Sequence, residues 1–373
     1  MARPPKKKDE DFSNSILSKL TEEFTQKSAG EEFANDVTIL FCGPKKSGKT
    51  SLVDRFINPT KEEKDQPKPT VALDYKFARY AATEGSSKVL AHIYDLGGDE
   101  ANENLIGSPI SSSTVGNMVL AITLDLSEPH NCIQNLEKWL QLLRFQVDKS
   151  LQALAQENPK SIIQLDAQRA LRANSYAEHA DRGIINMFPV PLVIFGAKWD
   201  VLASDVDPEK RKNLCRALRH FALAHGAHLV LTSLKDKTSM NAMRSILRQL
   251  LFAVPPKGSL EQLDHSKPIC VPAGKDSVSA IGLPASGQAN ERAWKDYVQH
   301  LFPDPSPSSK GGKRSEMDQV MEELLKYPES SIDGMVEQRS EELQQYRRQV
   351  QRNQRLASEG IEGNKVAAVS VAA

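Results

Sequence analysis

Residues 43–51 read GPKKSGKTS and fit the pattern G-x-x-x-x-G-K-[ST]. The flanks give the match its force. VTILFC before it is a short apolar run of strand character, and KTSLVDRFI within and after it has helical spacing. Strand, glycine-rich loop and helix in that order form a phosphate cradle. The glycines permit a tight path whose N–H groups surround phosphate oxygens, and the helix amides and dipole favour an anion at the same place. Gly43 and Gly48 therefore shape the loop, Lys49 reaches terminal phosphates, and Thr50 offers its hydroxyl to magnesium. Lys45 and Lys46 add positive charge and read as solvated.

The chain beyond the loop alternates. YKFARYAA and KVLAHIYDL read as strands, and MVLAITLDL is a continuous apolar run suited to a buried central strand. Ile133, Leu136, Leu140, Leu143, Val147, Leu151 and Leu154 then recur at steps of three or four, which predicts a long helix. Residues 155–187 are polar and mixed, and read as an insertion. VPLVIFGAK resumes as a buried strand, followed by a helical PEKRKNLCRALRHFALAHG that ends on Gly226. AHLVLTS is a last strand and MNAMRSILRQLLFAV a last helix. The alternation predicts an α/β domain over about residues 36–253, with a mostly parallel six-stranded sheet covered on both faces.

The flanks are less regular. Residues 1–35 form a polar arm in which Ile16, Leu17, Leu20 and Phe24 share a helical stripe, read as a short helix packed on the domain. Residues 254–303 read as an extension packing on the domain or on a partner. Within it ICVPAGKDS is either one more strand or an extended arm, and ERAWKDYVQHLF is a short helix anchored by Trp294. Residues 304–316 are a flexible Pro/Ser/Gly-rich linker. Residues 317–354 carry amphipathic helical patterns: Met317, Val320, Met321, Leu324 and Leu325 in one, and Val336, Leu343 and Val350 with Tyr346 in the next. Such helices cannot bury their faces alone, so docking on a partner and a frayed, solvated tail both stand as readings. Residues 355–373 read as a disordered tail.

Bulk chemistry removes several function classes. Lys plus Arg and Asp plus Glu each total 48 in 373 residues, so no net field favours nucleic acid or an anionic membrane. The opening MARPPKKKDEDF is basic without an apolar core, and no apolar run approaches a bilayer span. Cys42, Cys132, Cys215 and Cys270 are scattered, without a CxxC pair or nearby His cluster, and read as buried free thiols in a reducing compartment. A cytosolic protein follows, without nucleic acid or membrane insertion.

Further residues extend the phosphate site. Thr70, in PKPTVALDY, lies twenty residues after Thr50, where a switch threonine can share the magnesium and sense the terminal phosphate. Asp95 closes a strand and opens DLGG; its carboxylate can hold the magnesium water shell while the Gly98 amide meets the terminal phosphate. For the base, the usual N-K-x-D is here AKWD. Asp200 can accept two hydrogen bonds from a guanine edge and Lys198 can pack along the ring, but Ala197 lacks the amide that fastens this loop to the phosphate loop. The lesser reading of Asp200 is a helix N-terminal acid with no ligand. TSLK, residues 232–235, resembles the usual S-A-K. Asp99 stands where such GTPases commonly carry a glutamine that orients the attacking water, which predicts slow or absent hydrolysis unless a partner supplies the missing group.

Together, GPKKSGKT, PKPTVALDY, YDLGG, FPVPLVIFGAKWD and EKRKNLCRALRHFALAHGAHLVLTS resemble the light intermediate chains of cytoplasmic dynein. The closer similarity is to that of dynein 2, the retrograde motor of intraflagellar transport. It continues through KPICVPAGKDS, AWKDYVQHLFP and YPESSIDGMVEQRSEELQQYRR, covering about residues 36–350. The resemblance implies a Ras-like P-loop G domain with a C-terminal extension, binding the tail of the dynein 2 heavy chain in the cytoplasm and the cilium or flagellum. Other dynein 2 subunits and intraflagellar transport trains would be its further partners, with microtubules met only through the motor. It also implies nucleotide contacts, to GTP or GDP with Mg, at Gly43, Lys46, Ser47, Gly48, Lys49, Thr50, Ser51, Thr70, Asp95, Gly98, Lys198, Asp200, Ser233 and Leu234, with the metal near Thr50, Thr70 and Asp95. The short tail gives no equivalent of the dynein 1 adaptor-binding region, so adaptor binding is not implied.

The expected function is therefore a non-catalytic motor subunit that holds any nucleotide for structure. An active GTPase switch is the alternative, on the strength of the intact loop with Thr70 and Asp95. An ATP-using P-loop enzyme is a third reading, and adenine in nucleotide extracted from the protein would count against Asp200 reading guanine.

Overall fold

The computed structural model describes residues 36–60, 67–80, 89–284 and 287–303, together with Gln338, Arg339, Glu341, Glu342, Gln345, Tyr346 and Arg348. The chain divides at Asp304 and Pro305. In the first unit the strands are β1 (Val37–Cys42), β2 (Leu73–Tyr80), β3 (Val89–Leu96), β4 (Met118–Asp125), β5 (Leu192–Ala197), β6 (His228–Leu231) and β7 (Cys270–Val271). They form one sheet in the order β2-β3-β1-β4-β5-β6-β7. The five central strands are parallel, while β2 and β7 run antiparallel at the two edges.

The sequence pattern predicts six strands, and the sheet has seven. The added one is β7, whose Val271 and Cys270 pair with Leu229 and Val230 of β6. Within the ICVPAGKDS stretch only Cys270 and Val271 are strand, and the residues after them continue as turn and irregular chain. Two residues are too few for any periodicity to show in sequence.

Successive side chains of a strand point to opposite faces, so β1 feeds two cores at once. Ile39 and Phe41 join Val193, Phe195 and Val230 under helices α1 (Lys49–Ile57) and α6 (Lys237–Phe252), which contribute Leu52, Val53, Ile246 and Leu247. Leu40 and Cys42 face Leu120, Ile122 and Ile194 beneath helices α2 (Pro129–Glu157) and α5 (Pro208–Ala224). The repeat at Ile133, Leu136, Leu140, Leu143, Val147, Leu151 and Leu154 is the buried stripe of α2. Within residues 155–187 the chain forms α3 (Pro159–Asn174), whose first turn is capped by the Asn158 side chain accepting from the Ser161 N–H. Next come the short α4 (Trp199–Asp205) and, beyond β7, α7 (Val278–Ile281) and α8 (Glu291–Leu301).

Residues beyond α6 are fastened to the sheet and to α5. Arg219 of α5 donates two hydrogen bonds of 2.7 Å to the two carboxylate oxygens of Asp276, a bidentate pair almost wholly buried. Arg216 of α5 donates to the carbonyls of Ile281 and Leu283, and Trp294 of α8 is fully buried. All four cysteines are free and buried. No helix among the described residues is long and apolar enough to cross a membrane.

In the second unit the described residues between Gln338 and Arg348 are helical and exposed. The N-terminal stripe at Ile16–Phe24, the linker 304–316, the stripe from Met317 to Leu325, Val336, Leu343, Val350 and the tail 355–373 lie outside the described residues.

Candidate nucleotide-binding site

Parallel strands deliver their carboxyl ends to one edge of the sheet, and ligands of open α/β sheets bind there. The phosphate loop follows β1, Asp95 lies near the end of β3, Asp125 ends β4, Ala197 ends β5, and Thr232 and Ser233 follow β6. Pieces up to 190 residues apart in sequence are thus brought to one crest.

The loop's shape depends on glycine. A Cβ on Gly43 would lie 2.1 Å from the Thr123 carbonyl oxygen of β4, so only glycine lets β1 turn there. Gly48 sits at φ 93° in the left-handed region, which leads the chain into α1 with no side-chain cap on the helix. The first-turn amides of α1 are therefore left open to a ligand anion. Lys49 is 5% exposed, and its ammonium donates to the carbonyls of Gly43 (3.0 Å) and Pro44 (2.8 Å). Burial pushes that ammonium below its ordinary range, and the nearby Asp95, Cys42 and Asp99 oppose the shift.

Thr50, Thr70 and Asp95 converge. The Thr50 hydroxyl donates to Asp95 Oδ2 (2.5 Å), Thr70 donates to the same oxygen (2.7 Å), and the two hydroxyls lie 2.9 Å apart. Asp95 is 1% exposed, and its Oδ1 has no hydrogen-bond partner. A buried carboxylate oxygen left unpaired is costly and calls for a partner from outside the chain. A hydrated divalent cation meets that need, because Mg²⁺ takes hydroxyl, carboxylate and water oxygens together. The residues present fit magnesium.

Gly98 packs directly on the loop: a Cβ there would lie 2.2 Å from the Lys45 nitrogen. The residues on either side of it are tied to the Thr70 stretch, since Gly97 N–H donates to the Ala72 carbonyl (2.6 Å) and the Asn102 amide to the Val71 carbonyl (2.8 Å).

At the base end, a cavity of about 270 Å³ is bordered by Lys46, Gly48, Ser51, Lys198, Asp200 and Leu234, among others. Asp200 Oδ1 accepts from the Ser233 hydroxyl (2.9 Å), and Oδ2 is 2.8 Å from the Lys235 ammonium. Burial alone would raise the Asp200 carboxyl; the hydrogen bonds from Lys235 and Ser233 outweigh it and hold the group below its ordinary value. A carboxylate has about four acceptor sites, so these bonds leave capacity for the N–H edge of a guanine.

Comparison with known proteins bears on this geometry. Residues 38–158 match the family model described as Roc, Ras of Complex, domain of DAPkinase. A Danio rerio cytoplasmic dynein 2 light intermediate chain 1 is 33% identical over 338 residues, spanning 88% of this chain and 90% of that protein. The Homo sapiens cytoplasmic dynein 2 light intermediate chain 1 is 33% identical over 319 residues, spanning 83% and 87%. The chain belongs to the cytoplasmic dynein 2 light intermediate chains. A solved dynein light intermediate chain conserved domain superposes with a TM-score of 0.50 at 15% identity, covering 73% of this chain and 99% of that domain; the fold is Ras-like.

This light intermediate chain departs from the usual site in two places. Ala197 supplies no amide to the phosphate loop. Its methyl lies 3.3 Å from where a Cβ on Gly48 would stand, so a side chain at position 48 would press on it. Asp99, after Gly98, is in an ion pair with Lys45 of the phosphate loop at 2.9 Å. Lys45 reads as solvated in the sequence; half-exposed, it nevertheless has this defined partner.

Sequence reasoning missed Asp125 and Ser127, the partners of the expected Lys198. Lys198 sits in the left-handed region at φ 62° and its ammonium pairs with Asp125 at the end of β4, with the Ser127 hydroxyl also on Asp125 (2.5 Å). Thr232 N–H donates to the Gly196 carbonyl (2.7 Å) and Trp199 N–H to the Thr232 carbonyl (3.0 Å), stitching the two base loops together. The acid that ends MVLAITLD was the one available signal for Asp125. Its partner Lys198, 73 positions away, was read from AKWD, but nothing in the sequence joined the two.

Proposed function

We propose that this light intermediate chain is a non-catalytic accessory subunit that binds and stabilises the heavy-chain tail of dynein 2 for retrograde intraflagellar transport and cilium assembly. Its further partners are the other dynein 2 subunits and the transport trains, it meets microtubules only through the motor, and it works in the cytoplasm and the cilium. Family membership across most of the chain supports this reading. The G domain holds GTP or GDP with Mg as a structural ligand. Gly43, Lys46, Ser47, Gly48, Lys49 and Ser51 take the phosphates, Thr50, Thr70 and Asp95 hold the cation, and Gly98 approaches the terminal phosphate. Lys198, Asp200, Ser233 and Leu234 take the base. Bound magnesium would supply charge neutralisation between the phosphates and Asp95.

The observation that carries the non-catalytic part is the Lys45–Asp99 pair. The residue positioned to orient an attacking water is a short carboxylate already held by a loop cation. The convergence of Thr50, Thr70 and Asp95 favours the second reading, an active switch, because a magnesium-linked threonine is what senses the terminal phosphate. Single-turnover GTP hydrolysis by the purified chain, alone and with the heavy-chain tail, separates the two. The non-catalytic reading expects no hydrolysis that Lys49→Ala removes. Hydrolysis that is lost in that variant and alters tail affinity would overturn it.

A further inference from the structure

The corner where α2, α5 and α8 meet collects buried polar atoms that lack partners. His220 of α5 is 1% exposed, and among the described residues neither of its ring nitrogens finds a hydrogen bond. Nδ1 of His225 and the indole nitrogen of the fully buried Trp294 are in the same position. Such atoms are costly unless something from outside the chain meets them. His220 lines a cavity of about 640 Å³, together with Glu137 of α2 and Glu291, Arg292, Lys295 and Asp296 of α8. None of these residues borders the nucleotide pocket.

The wall's charges select what can enter. Lys295 is held by Glu137 at 2.5 Å, so those two cancel. Glu291 Oε1 lies 3.2 Å from His225 Nε2, and that hydrogen bond holds the Glu291 carboxyl below its ordinary range, hence ionised. Burial pushes the His220 imidazole down, so at neutral pH the ring is uncharged and keeps one acceptor nitrogen. An ionised carboxylate and a neutral acceptor side by side suit a cation that donates several hydrogen bonds. Arg292 and Asp296 are exposed at the rim, and with Asn290 they also border a second cavity of about 450 Å³ along α8. An occupant that fills both must cross that ridge, as an extended chain does.

We propose that this cavity receives an arginine side chain of a partner polypeptide, its guanidinium bonding the Glu291 carboxylate and the acceptor nitrogen of His220. The partner's backbone crosses the ridge of Arg292 and Asp296 into the second cavity. A guanidinium fits better than an ammonium, because its planar fork reaches two acceptors at once. The inference is independent of the nucleotide reading, since the two sites share no residue.

The test is NMR of the full chain, labelled at its histidine rings, titrated with the blocked peptide acetyl-Gly-Arg-Gly-amide. The ring signals of His220 and His225 are expected to shift saturably. The same peptide carrying citrulline, which keeps the shape without the charge, should bind about tenfold weaker or worse. Agmatine, a guanidinium without a peptide backbone, should also bind at least about tenfold weaker. Glu291→Gln keeps an oxygen for His225 and removes the charge, so it should weaken the arginine peptide about tenfold with the fold intact. His220→Gln, read by the His225 signal, should weaken it as well. No saturable shift up to about 10 mM peptide, which is the result if the cavity takes water alone, overturns the proposal. So do equal binding of the citrulline peptide and undiminished binding by Glu291→Gln. Agmatine binding as tightly as the peptide would overturn the polypeptide as the source of the cation.

Discussion

Asp200 gives the sharpest residue-scale expectation. Guanine offers two N–H groups to a carboxylate, whereas an Asn amide must turn one donor toward them. Asp200→Asn should therefore lose about tenfold or more in affinity for guanine nucleotides and gain relative affinity for xanthine nucleotides, whose ring carries an oxygen at that edge. Competition titration with GDP and XDP checks this, and equal losses for both would remove Asp200 from the base site. Lys49→Ala should weaken guanine nucleotide binding at least about a hundredfold, because charge-assisted bonds to phosphate are among the strongest available. The local parts of this site were legible in sequence because a loop of consecutive residues carries its own geometry. Thr70 and Asp95 were legible from order along the chain. The pairs Lys45–Asp99 and Lys198–Asp125 were not, since nothing in a linear pattern says which charge a lysine will meet across the crest.

Among elements, the buried pair joining α5 to the chain after β7 has the largest predicted effect. Asp276→Asn leaves the Arg219 guanidinium buried without its counter-ion, which should cost about 3–5 kcal/mol in urea denaturation. Replacing both partners with apolar residues should recover much of that loss, because the unpaired charge and not the absent bond dominates the cost. Trp294→Ala, at the buried face of α8, should cost a similar amount, about 3–5 kcal/mol, through the cavity it leaves. The long helix α2 and the central strands were readable because their periods are sustained. Helix α8 and its Trp294 anchor were also readable, but the attachment through β7 and Asp276 was not, since a two-residue strand and one arginine-carboxylate pair leave no period.

For the molecule as a whole, the partly buried His228 links stability to acid. Burial pushes its imidazole from 6.5 down to about 4, and its Nδ1 accepts the Ala273 N–H, a bond that a protonated ring cannot accept. Below pH 6.5 the unfolded chain takes up a proton that the folded chain refuses until about pH 4, so this residue's contribution falls as the pH drops through that window. His228→Asn, whose amide oxygen can replace Nδ1 as acceptor, should flatten the slope of folding stability between pH 6.5 and 5. A slope unchanged in that variant would assign the acid sensitivity elsewhere. The central claim is that the chain acts by its outer surface on a dynein 2 motor, and that the pocket serves the fold. Co-purification of the full chain with the dynein 2 heavy-chain tail tests it most directly. The account predicts a stable complex that forms equally with GDP and with a non-hydrolysable GTP analogue; no complex, or one that forms with the triphosphate alone, would contradict it.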